Sequence, residues 1–304
     1  MSDPIASTHR LATPDGRRLD LHLAGPAGGD VLLFHTGTPS APIPFEPTVR
    51  ALAERGLRYV AFSRPGYGSS TRRPGRSVVD VVDDARTVLD HVGAATAVTV
   101  GWSGGGPHAL ACAALLPDRI AAAALIAGVA PYPAEGLDFL AGMGAENIEE
   151  FGAALESPEA LIVFKERNWP IFRSVTAGDV AAAFGDLIDE VDRGALSGEF
   201  ADWQASSIRE ALREGYWGWF DDDMAFVRPW GFALETIRVP VHVWQGRHDR
   251  MVPYAHGEWL ASHIPTAVPH LSDEHGHLSL GVAAVGLIVD QLLASARGAG
   301  PTQS

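Results

Sequence analysis

The chain has 304 residues, of which 46% are hydrophobic and 20% charged, and its formal net charge is -14. This composition is typical of a globular protein, and the negative charge argues against nonspecific binding to nucleic acid or anionic membranes. No apolar run is long enough to span a membrane, and the N-terminal stretch lacks the apolar core of a secretory signal. We therefore expect a cytoplasmic protein with neither nucleic acid nor membrane as a partner. The single cysteine, Cys112, excludes an intrachain disulfide and a cysteine-based zinc site.

In the first part of the chain, predicted strands alternate with predicted helices. Two strands are expected around a turn at residues 14–16, and four short apolar runs predict further buried strands: DVLLFHT, LRYVAFS, AATAVTVG and RIAAAALIAG. Helical spacing is found between them, in FEPTVRALAERG, SVVDVVDDARTVLDHVG and the segment after Ser103. This alternation predicts an α/β protein with a mostly parallel, twisted sheet that helices cover on both faces.

The alternation stops in the middle of the chain and then resumes. From about Pro131 to Ile237 the sequence has helix-like segments and several tryptophans without a clear strand pattern. VPVHVWQG and AVPHLS then predict two strands, and AHGEWLASHI and GVAAVGLIVDQLLASA predict two helices. We expect a core made of residues 1–130 and 238–296, a helical cap insertion at residues 131–237 over the strand ends, and a flexible tail at residues 297–304.

Ser103 lies at the junction of a predicted strand and a predicted helix, in VTVGWSGGGPHALAC. A nucleophilic serine at the end of a strand requires a very sharp turn, in which side chains two positions before and after it would collide with backbone. Gly101 and Gly105 meet that requirement, and the following helix N-terminus favours developing negative charge. A glycine-rich turn with an incidental serine would match the short pattern too, but the position between strand and helix favours a nucleophile.

A serine nucleophile needs a base within hydrogen-bond reach, and the base needs an orienting acid. In this architecture the chain order is serine, acid, histidine. RHDRMVP follows a predicted strand and supplies Asp249, and SDEHGHLSL precedes the last helix and supplies His277. His275 is the strongest rival base, and the preceding Gly276 and the apolar helix entry favour His277. We expect no metal, because no HExxH-type spacing occurs in the sequence.

Three motifs in this order carry a resemblance to a known family. They are Gly101–Gly105, Gly246–Asp249 and Gly276–His277. The chain resembles the α/β-hydrolase fold superfamily, of the serine-hydrolase type with an inserted helical cap, from about Leu11 to Ala296. The motifs together are specific to the superfamily and to no single substrate.

The resemblance implies a triad of Ser103, His277 and Asp249 that works without a cofactor on a small to medium, largely apolar molecule. The bond cleaved would be an ester, a lactone or a related acyl bond, through an acyl-enzyme. The epoxide hydrolases and haloalkane dehalogenases are similar in fold but use an aspartate nucleophile, so the serine excludes them. Acyl transfer, perhydrolysis, carbon–carbon hydrolysis, aminopeptidase activity and noncatalytic ligand binding are alternatives, and the oligomeric state is open.

The loop FHTGTPSAP is similar to the His-Gly-x-Pro segment of many superfamily members, with residues 36–39 in that place. The resemblance implies an oxyanion hole formed by the backbone N–H groups of Gly104 and Thr38. Threonine stands where the family usually has histidine, and His35 lies one place earlier. Gly37 is therefore an alternative donor.

Aromatic side chains beside the serine and in the inserted region are candidates for the substrate pocket or for packing of the cap. The pocket candidates are Trp102, His35, Trp203 and Trp217. The acidic run at residues 221–223 predicts a helix start or a solvated turn, and Arg64 in the turn SRPGYGSS is a weaker site candidate.

Overall fold

A computed structural model gives the structure of residues 6–298. Eight strands form one sheet: β1 (Ser7–Ala12), β2 (Arg18–Ala24), β3 (Asp30–His35), β4 (Leu57–Phe62), β5 (Ala97–Trp102), β6 (Ile120–Ile126), β7 (Val241–Gly246) and β8 (Ala267–Ser272). Their order in the sheet is β1-β2-β4-β3-β5-β6-β7-β8. β2 runs antiparallel to both of its neighbours, and the other pairs are parallel. The predicted α/β fold with a mostly parallel sheet is confirmed.

Helices cover both faces of this sheet, which explains the continuous apolar runs of its central strands. The helices are α1 (Glu46–Ala53), α2 (Val81–His91), α3 (Gly106–Leu115), α4 (Ala145–Glu156), α5 (Pro158–Phe172), α6 (Val180–Ala183), α7 (Glu190–Ala195), α8 (Gly198–Ala211), α9 (Trp217–Phe226), α10 (Tyr254–His263), α11 (His277–Ala283) and α12 (Val285–Gly298). Apolar residues of α1 and α12 pack on one face, and those of α2, α3 and α10 pack on the other.

The segment between β6 and β7, residues 127–240, is called the inserted segment below. Its regular structure consists of α4–α9 and two 3₁₀ turns, Gly185–Leu187 and Leu234–Thr236. These helices have their own buried apolar cluster, which includes Leu161, Phe164, Phe172, Phe200, Ile208 and Trp219. Leu278 of α11 belongs to the same cluster, so the inserted segment packs directly on the edge of the sheet where α11 begins.

The end of the chain differs from the prediction of one final helix. α11 begins at His277, and α12 follows it after a break with a bend of 69°. The break allows α11 to reach the sheet edge while α12 packs Ile288 and Leu292 against the sheet. Residues 297 and 298 belong to α12, and residues 299–304 of the predicted flexible tail lie outside the described residues.

Within residues 6–298 no single helix is long and apolar enough to cross a membrane. Only α11 and α12 taken together have that length and composition, and they are bent by 69° relative to each other.

Candidate active site

Ser103 sits in a tight turn directly after β5. Its φ of 55° lies in the left-handed region that non-glycine residues rarely adopt, and a single 3₁₀ turn, Ser103–Gly105, leads from it into α3. A Cβ on Gly101 would collide with the carbonyl oxygen of Gly105, and one on Gly105 would collide with that of His35. The two glycines are therefore required by close backbone approach, and the turn that they permit lifts the serine above the strand end.

His277 and Asp249 form a buried hydrogen-bonded pair at the adjacent strand ends. The Nδ1 atom of His277 lies 2.8 Å from Oδ2 of Asp249, and because a carboxylate only accepts, Nδ1 carries the proton. Oδ1 of Asp249 accepts the backbone N–H groups of Met251 and Val252, at 2.9 and 2.7 Å. Gln245 donates its Nε2 to Oδ2 over 2.9 Å. Four hydrogen bonds thus hold the carboxylate of Asp249, which in turn sets the orientation of the imidazole.

Two opposing effects act on the pKa of His277. Burial alone would lower this pKa, but the negative charge of Asp249, its hydrogen bond and the charge of Asp192 together raise it above 6.5. The environment therefore favours the imidazolium form, which a histidine must adopt when it takes a proton from a nucleophile.

Ser103 and His277 line one cavity of about 60 Å³, the His277 cavity, together with Gly37, Thr38, Trp102, Trp203, Phe184 and Met251. Among the described residues, neither Oγ of Ser103 nor Nε2 of His277 forms a hydrogen bond to a protein atom. Both atoms are therefore available to a bound molecule, and hydrogen bonds between catalytic groups often tighten only when substrate is bound.

Ser103 also lines a second cavity of about 80 Å³, the acidic cavity, with Gly104, Glu146, Glu150, Asp223, Phe151 and Phe226. The fully buried Lys165 pairs with Glu150 at 2.5 Å and with Asp223. Burial, followed by the neighbouring Glu150, raises the pKa of Glu146 to about 7. The two cavities thus differ in chemistry: aromatic and uncharged beside His277, and aromatic with carboxyl groups beside Gly104.

The three candidate oxyanion residues come together at Ser103. A Cβ on Gly37 would lie 3.3 Å from Cβ of Ser103, and one on Gly104 would lie 2.5 Å from Oγ1 of Thr38. Within residues 6–298 the backbone N–H groups of Gly37 and Thr38 donate to no protein acceptor. The N–H of Gly104 lies in the first turn of a helix, where such groups have no intrahelical partner. All three donors are available beside the serine.

A buried charge network holds the loop that carries Thr38. Asp222 of α9 is 0% exposed and accepts hydrogen bonds from the Thr38 hydroxyl at 2.7 Å, Tyr67 at 2.8 Å, Arg76 at 2.6 Å and Arg64 at 2.5 Å. Arg64 also donates to the carbonyl oxygens of residues 36 and 37. Burial would raise the pKa of Asp222, but the charges of Arg64 and Arg76 lower it well below 3.8. Asp222 is therefore a charged anchor for this loop.

The acidic run at residues 221–223 is neither a helix start nor a solvated turn. All three side chains are buried within α9, because each has a cationic partner. Asp221 binds Arg72 at 2.8 Å, Asp222 binds the two arginines named above, and Asp223 binds Lys165. The arginines in SRPGYGSSTRRPGR were the available signal, since a cluster of cations needs acidic partners when it is buried.

Two of the four candidate pocket residues lie away from the serine. His35 is buried in the core, with Nε2 3.8 Å from Sγ of Cys112, since alternation along β3 turns its side chain toward α3. Trp217 is 36% exposed at the start of α9, and its ring stacks with Arg72 at 3.9 Å. Trp102 and Trp203 line the His277 cavity. The rival base His275 bonds to Ser272 at 2.7 Å, outside both cavities.

In the part of the chain that the structure describes, no group of three or more histidine, cysteine, aspartate or glutamate side chains is arranged to hold a metal ion.

Comparisons with known proteins place this geometry in a family. The model of the alpha/beta hydrolase fold family matches residues 30–162. An uncharacterized hydrolase of Bacillus subtilis, YcgS, is 30% identical over 278 residues, covering 88% of this chain and 90% of that protein. A bifunctional esterase/perhydrolase, DCH, of Acinetobacter calcoaceticus is 27% identical over 247 residues, covering 80% of this chain and 83% of that protein.

A solved structure of a hydrolase from Pseudomonas aeruginosa superimposes with a TM-score of 0.69 at 21% identity, over 94% of this chain and 98% of that one. The sheet order, the turn at Ser103 and the similarity to YcgS over nine-tenths of its length agree with one another. The chain belongs to the alpha/beta hydrolase fold family of hydrolases.

Proposed function

We propose that this protein is a serine hydrolase that cleaves an ester, lactone or related acyl bond through an acyl-enzyme. The observation that carries the proposal is the His277 cavity, in which a serine in a strained turn and a histidine paired with a buried carboxylate have free polar atoms. Among the described residues that line this cavity, His277 is the only histidine, and Ser103 is the only hydroxyl residue with a φ in the left-handed region.

The reaction follows from the roles of these groups. Oγ of Ser103 attacks the carbonyl carbon while Nε2 of His277 takes the hydroxyl proton, and Asp249 stabilises the imidazolium. The N–H group of Gly104, with that of Thr38 or Gly37, stabilises the tetrahedral oxyanion. Collapse of this intermediate breaks the acyl bond, and the leaving oxygen receives the proton from His277. His277 then takes a proton from water, which attacks the acyl-enzyme; the bond to Oγ breaks, His277 returns the proton to Ser103, and the acid is released.

We further propose that the inserted segment acts as a cap that shapes the substrate pocket. It contributes Trp203 to the His277 cavity and Phe172, Phe184 and Trp219 to the acidic cavity. Apolar walls of this kind suit a small to medium, largely apolar acyl substrate. The serine lies where the two cavities meet, so the acyl group and the leaving group would occupy different cavities.

Perhydrolysis is a second candidate, because the name of the Acinetobacter calcoaceticus relative includes that activity. It uses the same acyl-enzyme, and hydrogen peroxide replaces water as the second nucleophile, so that a peracid is released. Product analysis with and without hydrogen peroxide separates the two activities.

A fluorophosphonate probe tests the proposed chemistry, because it phosphonylates activated serines. We expect a single adduct on Ser103 in peptide mass maps and no adduct in Ser103→Ala. Short-chain esters should be turned over by the protein with Ser103 and not by Ser103→Ala. A folded protein that shows no adduct on Ser103 and no turnover would contradict the proposal.

A further inference from the structure

Asp192 of α7 is a fully buried carboxylate with all of its partners on the segment that begins with His277. It is 0% exposed. Oδ2 accepts the backbone N–H of His277 at 2.8 Å. Oδ1 accepts the N–H groups of Leu278 and Ser279 at 3.0 and 2.9 Å, and the hydroxyl of Ser279 at 2.9 Å. Three consecutive N–H groups at the N-terminus of α11 thus donate to one side chain of the inserted segment.

This contact replaces the usual way in which a helix begins. The first N–H groups of a helix lack intrahelical partners and are normally satisfied by a side chain just before the helix. The residue before α11 is Gly276, which has no side chain. A Cβ there would lie 2.5 Å from Oδ1 of Asp192, so a local capping side chain and Asp192 exclude each other. The N-cap of the histidine helix is therefore supplied from α7, 85 residues earlier in the chain.

Neighbouring residues of the inserted segment bind the loop of Asp249 in a similar way. Asp189 Oδ2 lies 2.9 Å from Nδ1 of His248, and Arg250 donates to the carbonyl oxygen of Asp186 at 2.7 Å. These two contacts are exposed and individually weak. With Asp192 they connect one short stretch of the inserted segment to both loops of the acid and base pair.

We propose that Asp192 is a positioning residue for His277: it sets the start of α11 and thereby the place of the imidazole relative to Ser103. This inference rests on the proposed serine hydrolase function. Asp192 touches no reacting atom, and it acts through the backbone of the histidine.

The charge of Asp192 adds an effect that a neutral cap would lack. Among the described residues two carboxylates act on the charge of His277, Asp249 from the loop after β7 and Asp192 from α7, and each raises its pKa. If Asp192 loses its charge, one of these two contributions disappears and the pKa of His277 falls.

Asp192→Asn tests the inference, because asparagine keeps the size and one acceptor but not the charge. We expect kcat/KM to fall by up to about 100-fold, as for a small displacement of a catalytic group, and the acid limb of its pH profile to move to lower pH. Asp221→Asn is the matched control, since it neutralises a buried carboxylate of the same segment that binds only Arg72. Its acid limb should stay in place. A folded Asp192→Asn protein with unchanged kcat/KM and an unchanged acid limb overturns the inference.

A second variant reaches the same contact from the other side, in case Asp192→Asn does not fold. Gly276→Ala leaves the carboxylate in the chain but displaces it, and we expect kcat/KM and the acid limb to change in the same direction. Normal kinetics in folded Gly276→Ala would overturn the inference as well.

NMR titration of the His277 imidazole gives a readout that is independent of turnover. If fluorophosphonate does not label Ser103, the proposed function itself is wrong. If Ser103 is labelled but neither variant changes kcat/KM or the acid limb, only this inference is wrong.

Discussion

The hydroxyl of Thr38 donates to Oδ2 of Asp222 over 2.7 Å, and this bond joins the loop after β3 to a helix 184 residues later. The same carboxylate is neutralised by Arg64 and Arg76. Thr38 therefore has two separate tasks in the proposed mechanism. Its N–H is one of the two candidate donors to the oxyanion, beside that of Gly37, and its side chain fixes the loop that carries both N–H groups.

Thr38→Val separates these two tasks, because it keeps the N–H and the branched shape but removes the hydroxyl. We expect kcat to fall by roughly 10- to 100-fold with little change in KM, since a misplaced oxyanion donor acts mainly on the transition state. Loss of a hydrogen bond to a charged group should also cost about 1.5–3 kcal/mol of stability. Steady-state kinetics and urea unfolding measure both effects. Thr38→Ser, which retains the hydroxyl, should lose less on both measures; equal losses would contradict this role of the bond.

The acid limb of kcat/KM should lie above pH 6.5. The proposed base works only when His277 is neutral, and its pKa in the folded protein is raised above 6.5, so the rate falls as the pH drops through that raised value. In Asp249→Asn the charge that raises the pKa of His277 is removed, so the effect of burial dominates and this pKa falls. The acid limb should therefore move to lower pH, and kcat should fall by about 10⁴-fold. Asp273→Asn is the control, because that carboxylate is exposed and pairs with Arg247. A limb that stayed in place in Asp249→Asn would exclude His277 as the titrating base.

Stability should decrease as the pH falls below 6.5, because His256 is held in its neutral form. Its Nδ1 accepts the N–H of Ala130 at 3.2 Å and its Nε2 lies 2.9 Å from the carbonyl oxygen of Phe139. Burial lowers its pKa to about 4, so the unfolded chain binds a proton first as the pH drops. The stability lost between pH 6.5 and 4 should be about 3 kcal/mol from this residue. Urea unfolding at several pH values measures it, and His256→Gln should show a shallower pH dependence; an equal dependence would show that other groups cause it.

Trp203 should limit the length of an acyl group that occupies the His277 cavity. Trp203, like Trp102, lines both the His277 cavity and a neighbouring apolar cavity between the sheet and α12. Trp203→Ala should join them and increase the ratio of kcat/KM for long-chain over short-chain esters, which a panel of p-nitrophenyl esters measures. Trp217→Ala removes an equally large ring on the outer surface and should leave the ratio unchanged. If both variants gave the same ratio as the unmodified protein, Trp203 would have no such role.

Local signals were sufficient for the sheet and for the residues at strand ends. Apolar runs marked the strands, and the glycines around Ser103 indicated the sharp turn because backbone contacts there leave no room for a Cβ. Asp249 and His277 follow predicted strands, so their meeting at one sheet edge could be expected. Their hydrogen bond is present in the structure.

Residues that act through tertiary contacts gave no comparable signal. Asp192 and Asp222 lie inside helices of the inserted segment, and their partners are 85 and 184 residues away. An acidic run in a helix usually faces solvent. The arginines at residues 64–76 indicated that acidic partners exist, but only the fold shows which cation each carboxylate at residues 221–223 meets. The direction of His35 likewise depends on the face of β3 that packs on α3, which the short apolar run DVLLFHT leaves undetermined.

The placement of Asp192 and Asp222 in the inserted segment has a consequence for recombination between relatives. A homologous segment grafted onto this sheet would bring new walls for the pocket, but it would also remove the carboxylates on which the Thr38 loop and the start of α11 depend. Arg64 and Arg76 would then be left as uncompensated interior cations, which is strongly destabilising. Swaps of specificity between family members should therefore succeed only when donor and recipient match at these anchoring positions.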